Sequence, residues 1–227
     1  KKGKNMTKKV LIVVTNADKL ADGTQTGVWL EEFAVPFLIF RDTGYEITVA
    51  SIKGGKAPID EGSLSCSNPM EWDEAAKFLE NTKKLEEVDY KNFDAIFFPG
   101  GHGPMFDIAE NELVAEVTGH FYNTGKATSA VCHGPAGLLG AKRTDGEPIV
   151  KNKRVTSFTN EEENIVKRTE LVPFLLQSRL EQLGAEFTQL KPWAEHVIVD
   201  DNLITGQNPA SAIAVAEKVI EYLNQIG

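Results

Sequence analysis

The stretch Ala127-Thr128-Ser129-Ala130-Val131-Cys132-His133-Gly134-Pro135-Ala136 sets a thiol beside an imidazole, between an apolar run and small residues. Strand, sharp turn and helix is the order a nucleophile elbow needs, because a strained, small-flanked turn exposes the reactive atom at the sheet edge. Ala130 and Gly134 are the small flanks, two residues either side of Cys132. A cysteine at a helix N-terminus is stabilised as thiolate by the positive end of the peptide dipoles, so a lowered thiol pKa is expected. The His133 N–H would then point toward an oxyanion on the attacked carbon. A lone cysteine ending a strand is usually a buried structural residue. Here the elbow pattern and a second loop, Phe97-Phe98-Pro99-Gly100-Gly101-His102-Gly103-Pro104, favour the catalytic reading. That loop ends another strand, at the edge where open α/β sheets bind ligands. Gly100 and Gly101 would let backbone N–H groups approach a reacting oxygen. As a nucleotide loop it is weak, since Gly101-x-Gly103-x-x-Phe106 lacks the third glycine.

Two acidic groups sit near helix starts. Glu31 and Glu32 follow Gly27-Val28-Trp29-Leu30, and Glu161-Glu162-Glu163 follow Asn160. Acids there are usually solvated charges that complement the dipole. Adjacent helical residues point about 100° apart, so one of Glu31 and Glu32 could face the sheet edge while the other faces water.

These groups need a scaffold, and the chain alternates strand and helix patterns. Strands are expected at Lys9–Thr15, Tyr45–Ala50, Asp94–Phe98 and Lys126–Val131, with further strand or hairpin segments at Arg154–Phe158, Glu186–Leu190 and His196–Thr205. Helices are expected at Gly27–Arg41 (kinked by Pro36), Asn111–Asn123, Glu162–Gly184 with a break near Pro173, and Ala210–Ile226. Residues 53–90 are rich in Gly, Pro and charge and read as an insertion carrying a helix near Trp72–Lys83. The pattern implies one α/β domain over 1–227, with a mainly parallel sheet sandwiched by helices.

The 227 residues suffice for a large core. A net charge of −9 argues against nucleic-acid partners and against docking on anionic membranes. No apolar run is long enough to span a bilayer. The opening Lys1-Lys2-Gly3-Lys4-Asn5 reads as a frayed tail before Val10–Val14, which is too short and β-branched for a signal peptide. Two cysteines, Cys66 and Cys132, do not make a disulfide scaffold. A cytoplasmic protein with reduced thiols is expected.

The sequence resembles the ThiJ/PfpI superfamily, specifically its branch of Hsp-type chaperones and glutathione-independent glyoxalases (glyoxalase III). The matching motifs are Asp22-Gly23-x-x-Thr26-Gly27 with Glu32, Pro99-Gly100-Gly101-His102-Gly103 and Ala130-Val131-Cys132-His133-Gly134-Pro135. They continue through Val155-Thr156-Ser157-Phe158-Thr159-Asn160-Glu161-Glu162-Glu163, Lys191-Pro192-Trp193 and Leu203–Ser211, nearly the whole chain. The resemblance implies a flavodoxin-like fold of the class I glutamine amidotransferase type. It implies a triad of Cys132, His133 and an acid, for which Glu163 fits best and Glu162 is the alternative. It matches Glu32 to a glutamate that hydrogen-bonds the cysteine sulfur and shuttles protons, and it suggests a homodimer. Some relatives bind zinc through two histidines and a carboxylate. Here His102, His120, His133 and His196 show no ligand-like pair, so no metal and no cofactor is expected.

The implied reaction converts methylglyoxal and similar 2-oxoaldehydes to 2-hydroxy acids, a lyase of D-lactate dehydratase type. Thiolate addition, proton transfer from C1 to C2 and thioester hydrolysis would yield lactate. Gly100, Gly101 and the His133 N–H would hold the substrate oxygen. The competing enzyme reading is a cysteine peptidase or amidase. Against it, glutaminase-like relatives carry His-x-Glu far downstream, and this chain has only Glu195-His196. A holdase chaperone, a protein deglycase and a redox sensor based on Cys132 oxidation remain further readings.

Overall fold

The computed structural model describes residues 6–227, so the basic opening segment lies outside the described residues. The first strand, β1 (Lys9–Val14), is buried from Val10 onward. It pairs in parallel with β2 (Glu46–Ser51) on one side and β4 (Ala95–Phe98) on the other. Beyond β4 lie β5 (Ala127–Val131) and then β9 (Leu203–Gly206), both parallel. At one edge β3 (Lys83–Lys84) pairs with β2, and at the other β8 (Val197–Asp200) runs antiparallel to β9. The order is β3-β2-β1-β4-β5-β9-β8. The connection reverses direction between β1 and β4, which opens a crevice at the carboxyl ends of those strands.

Alternate side chains of each strand enter different cores. Val10, Ile12, Val14 and Phe97 meet Phe33, Phe37 and Phe40 of α1 (Leu30–Asp42) and Val215 and Val219 of α7 (Ala212–Ile226). Leu11, Val13, Ile96 and Phe98 meet Val114, Val117 and Phe121 of α4 (Glu112–Asn123). The sheet is therefore covered on both faces, as the alternation of patterns implied. Asn111 caps α4 by accepting from the Val114 N–H at 3.0 Å, and α1 runs on through Pro36.

Several expected elements are shorter than their patterns. In 53–90 the helix is only α2 (Glu71–Ala76), continued by a 3₁₀ turn to Leu79. Lys83, expected at the end of that helix, forms the edge strand with Lys84 instead; lysines on an edge discourage pairing with another chain. Arg154–Phe158 and Glu186–Leu190 shrink to β6 (Arg154–Val155) and β7 (Glu186–Phe187), which among the described residues pair only with each other. The long helical pattern from Glu162 splits into α5 (Asn160–Ile165) and α6 (Leu176–Gln182). Among the described residues no helix is long and apolar enough to cross a membrane.

Candidate active site

Cys132 follows β5 directly and adopts φ +63°, in the left-handed region. A non-glycine residue there costs roughly 1–2 kcal/mol, and the surroundings hold it in place. Its N–H donates to the Gly206 carbonyl at 3.0 Å, and its carbonyl accepts from the Phe158 N–H at 2.9 Å. Gly134 completes the elbow, since a Cβ there would strike the Phe98 carbonyl oxygen. The turn that follows is a 3₁₀ segment, Gly134–Leu138, and not the α-helix expected. With it goes the expected lowering of the thiol pKa. Burial pushes the Cys132 thiol well above its ordinary range. At rest the sulfur is a thiol that needs a base.

An imidazole stands beside it. His133 Nδ1 lies 3.6 Å from Cys132 Sγ, and His133 Nε2 lies 2.7 Å from Glu163 Oε2. Among the three consecutive glutamates the structure brings Glu163, not Glu162, to the histidine. Glu161 is exposed. Glu162 is turned the other way: its Oε1 closes a capping box with Thr159 and accepts from Gln207, and its Oε2 accepts from the Trp193 N–H and Asn208.

Glu31 and Glu32 separate as the helical geometry requires: Glu31 is partly exposed and Glu32 fully buried. Glu32 Oε1 accepts from the Gly100 N–H at 3.1 Å. Its Oε2 has no hydrogen-bond partner among the described residues and lies near the thiol. Burial holds the Glu32 carboxyl well above the usual carboxylate range, so it carries a proton it can give. This corrects the role expected of Gly100. Its amide is engaged by Glu32 and does not stand free for an oxyanion. Gly100 is needed for close approach: a Cβ there would lie 2.7 Å from Glu32 Oε1, 2.8 Å from His133 N and 2.9 Å from Cys132 Cβ.

Further side chains complete the site. His102 Nε2 lies 2.6 Å from Glu163 Oε1, and its Nδ1 lies 2.9 Å from Arg168 Nη1. Arg168 also meets Asp60 at 3.5 Å, and Asp60 accepts from the Thr26 hydroxyl at 2.9 Å. Phe158 packs against the His133 ring, centroids 4.5 Å apart, with Trp193 beyond it. The sequence motifs include Thr26, His102, Phe158 and Trp193 without giving them a role, and they include neither Arg168 nor Asp60. A cavity of about 210 Å³ opens over Cys132, walled chiefly by Trp29, His102, Phe158, Arg168 and Trp193. A larger groove of about 780 Å³, at the opposite ends of β1 and β4, is lined by neither cysteine nor histidine.

The histidines do form a pair, against the expectation drawn from their spacing. One atom each of His102, His133 and Glu163 lies within 4.8 Å of the others, close enough to share a cation. The donor set does not fit one. Each Glu163 oxygen already faces a histidine N–H, and the Arg168 guanidinium stands on the far side of His102.

The match to the family model described as DJ-1/PfpI covers residues 20–222. The chain belongs to the DJ-1/PfpI family. It is 33% identical to Glyoxalase 3 of Candida albicans, over 93% of this chain and 97% of that protein. It is 31% identical to the glutathione-independent glyoxalase HSP31 of Saccharomyces cerevisiae, over 95% and 98%. The crystal structure of glyoxalase III from Candida albicans superposes with a TM-score of 0.86 at 32% identity, covering 95% of this chain and 97% of that one. The parallel sheet with helices on both faces is thus the DJ-1/PfpI fold, and Cys132 stands at its elbow.

Burial of Glu32 in this DJ-1/PfpI site has a consequence for stability. Its folded pKa exceeds its ordinary value of 4.5. Above about pH 4.5 the unfolded chain releases a proton that the folded chain keeps, so folding loses stability as pH rises toward the folded pKa. Glu32→Gln removes that loss. The variant's melting temperature should gain on the wild type's as pH is raised from 5 to 8; a constant difference would contradict a buried, protonated Glu32.

Proposed function

We propose that this protein converts methylglyoxal and similar 2-oxoaldehydes to 2-hydroxy acids without glutathione, through a covalent adduct on Cys132. The observation that carries the reading is the line Cys132 Sγ, His133 Nδ1 and Nε2, Glu163 Oε2, set under a small aromatic-walled cavity with Glu32 behind the sulfur. The relatives named Glyoxalase 3 and glutathione-independent glyoxalase HSP31 support the substrate class.

His133 Nδ1 takes the thiol proton, and the sulfur adds to the aldehyde carbon, C1. The His133 N–H is the elbow's donor for the resulting oxyanion, which Glu32 protonates to give a hemithioacetal. Glu32, now a carboxylate, removes the C1 proton while His133 protonates the C2 oxygen. The enediol collapses when Glu32 returns the proton to C2 and His133 takes the one on the C1 oxygen. A thioester of a 2-hydroxy acid results. Water gives a proton to the Glu32 carboxylate as it attacks the thioester, and the departing sulfur takes the proton from His133, so the acid is released and the thiol, the neutral imidazole and the protonated Glu32 are restored. Methylglyoxal plus water gives lactic acid, with no external oxidant or reductant.

The small, mostly aromatic-walled cavity suits a compact 2-oxoaldehyde. A glycated side chain reaching into the mouth would meet the same nucleophile. The reading includes a cytoplasmic homodimer, which size-exclusion chromatography with light scattering would check. Activity itself is tested with purified protein and methylglyoxal in thiol-free buffer. One lactate should form per methylglyoxal consumed; consumption without lactate would mean scavenging, not turnover. Glu32→Gln should lower kcat on the order of 10²–10⁴-fold with a much smaller change in KM, since the amide still hydrogen-bonds near the sulfur but cannot take the carbon-bound proton. Near-normal kcat would assign the whole transfer to His133.

A further inference from the structure

The pairing of His102 with the triad acid follows from no motif, and its geometry is restrictive. An arginine only donates hydrogen bonds, so His102 Nδ1, 2.9 Å from Arg168 Nη1, must accept. The ring proton is therefore on Nε2, which donates to Glu163 Oε1 at 2.6 Å. Both ring nitrogens are occupied, so His102 offers the cavity only carbon atoms and has no proton to exchange with a substrate.

We propose that His102 is a positioning residue for the triad, and that Arg168 holds it in one neutral tautomer so that the charge of Glu163 serves His133. The inference rests on the reading of Cys132 and His133 as the reactive pair.

The argument turns on competition for one carboxylate. Glu163 is held below the ordinary carboxylate range: burial pushes it up, but the two histidines outweigh that. When His133 takes the thiol proton, its imidazolium is stabilised by Glu163 at 2.7 Å. A protonated His102 would draw on the same charge and make His133 a weaker base. The fold prevents this. Burial first, then the nearness of His133 and the Arg168 cation, hold His102 down to about 4. The groups facing His102 are His133, Glu163 on α5, and Arg168 in the turn after α5, with Asp60 behind Arg168. Cys132 lines the same cavity, with Glu32 behind it. Phe158 covers a ring edge, centroids 5.9 Å apart.

The test reads Cys132 reactivity directly, in a Cys66→Ser background because Cys66 is exposed. Alkylation of Cys132 by iodoacetamide is followed against pH by peptide mass mapping, and kcat with methylglyoxal is measured alongside. Arg168→Met removes the cation and frees Nδ1 for a proton. Its acid limb should move up by about one pH unit or more, the effect of a neighbouring charge at this range. With His102→Gln already present, Arg168→Met should add no such movement, because the group that would titrate is gone. The proposal is overturned if Arg168→Met leaves the limb in place, or moves it equally when residue 102 is Gln. Nitrogen-15 NMR of the unaltered protein gives a check free of folding effects. His102 should remain a neutral Nε2–H imidazole below pH 5, and titration of its ring near 6.5 would overturn the proposal. Wild-type protein that forms no lactate would defeat the glyoxalase reading alone, since alkylation and NMR need no methylglyoxal.

Discussion

Cys132→Ser is expected to form no measurable lactate, a loss on the order of 10⁴-fold or more, while keeping its melting temperature within a few degrees of wild type. The strained backbone at residue 132 is held by Gly206 and Phe158 through main-chain bonds that a serine keeps. The hydroxyl is nearly isosteric with the thiol but a far weaker nucleophile at neutral pH. The burial that pushes the Cys132 thiol up bears harder on a hydroxyl, which His133 cannot deprotonate to a comparable degree. Cys66→Ser should change little, because Cys66 is exposed and outside the cavity lining. Turnover retained in Cys132→Ser would end the covalent account.

Glu163→Gln should be the next most damaging change, on the order of 10²–10⁴-fold in kcat, comparable to the loss of an orienting acid in other triads. The amide has one acceptor and one donor end where the carboxylate had two acceptors. His102, fixed by Arg168, must keep donating from Nε2. The amide oxygen therefore turns to His102 and its NH₂ group to His133. His133 Nε2 must then accept, which places its proton on Nδ1, facing the sulfur. The base is lost by a change of tautomer, with little change in shape. The neighbouring substitutions separate direction from chemistry. Glu161→Gln, on an exposed side chain, should be silent. Glu162→Gln should cost about 1–3 kcal/mol of stability, through the capping box and the Trp193, Gln207 and Asn208 bonds. Its kcat should suffer far less than that of Glu163→Gln. If Glu162→Gln proves the most damaging to turnover, the triad acid has been misassigned.

The elbow and the central strands were legible because continuous apolar runs mark buried parallel strands, and small residues on both sides of Cys132 mark a sharp turn. The choice between Glu162 and Glu163 was open by resemblance, although Thr159-x-x-Glu162 has the spacing of a capping box. That pattern would have assigned Glu162 to its helix start and left Glu163 for His133. His102 could not be placed, since its partners lie 61 and 66 residues away and meet it only through the crossover. The thiol's pKa was misjudged in sign because the turn after Cys132 is a short 3₁₀ segment in a buried setting, where desolvation outweighs any dipole. The helix expected to reach Lys83 failed for a different reason. The chain leaves the helical path after Leu79 and places Lys83 and Lys84 beside Ala50 and Ser51 at the sheet edge.

The central claim is that the sulfur of Cys132 carries the substrate through the reaction. It is tested most directly by mixing the protein with saturating methylglyoxal, quenching in acid at intervals through the first turnovers, and mapping the peptides by mass. A gain of one methylglyoxal should appear on the Cys132 peptide and on no other, forming no slower than lactate is released and disappearing when substrate is exhausted. Lactate released at the full rate while Cys132 remains unmodified at every time point would contradict the account.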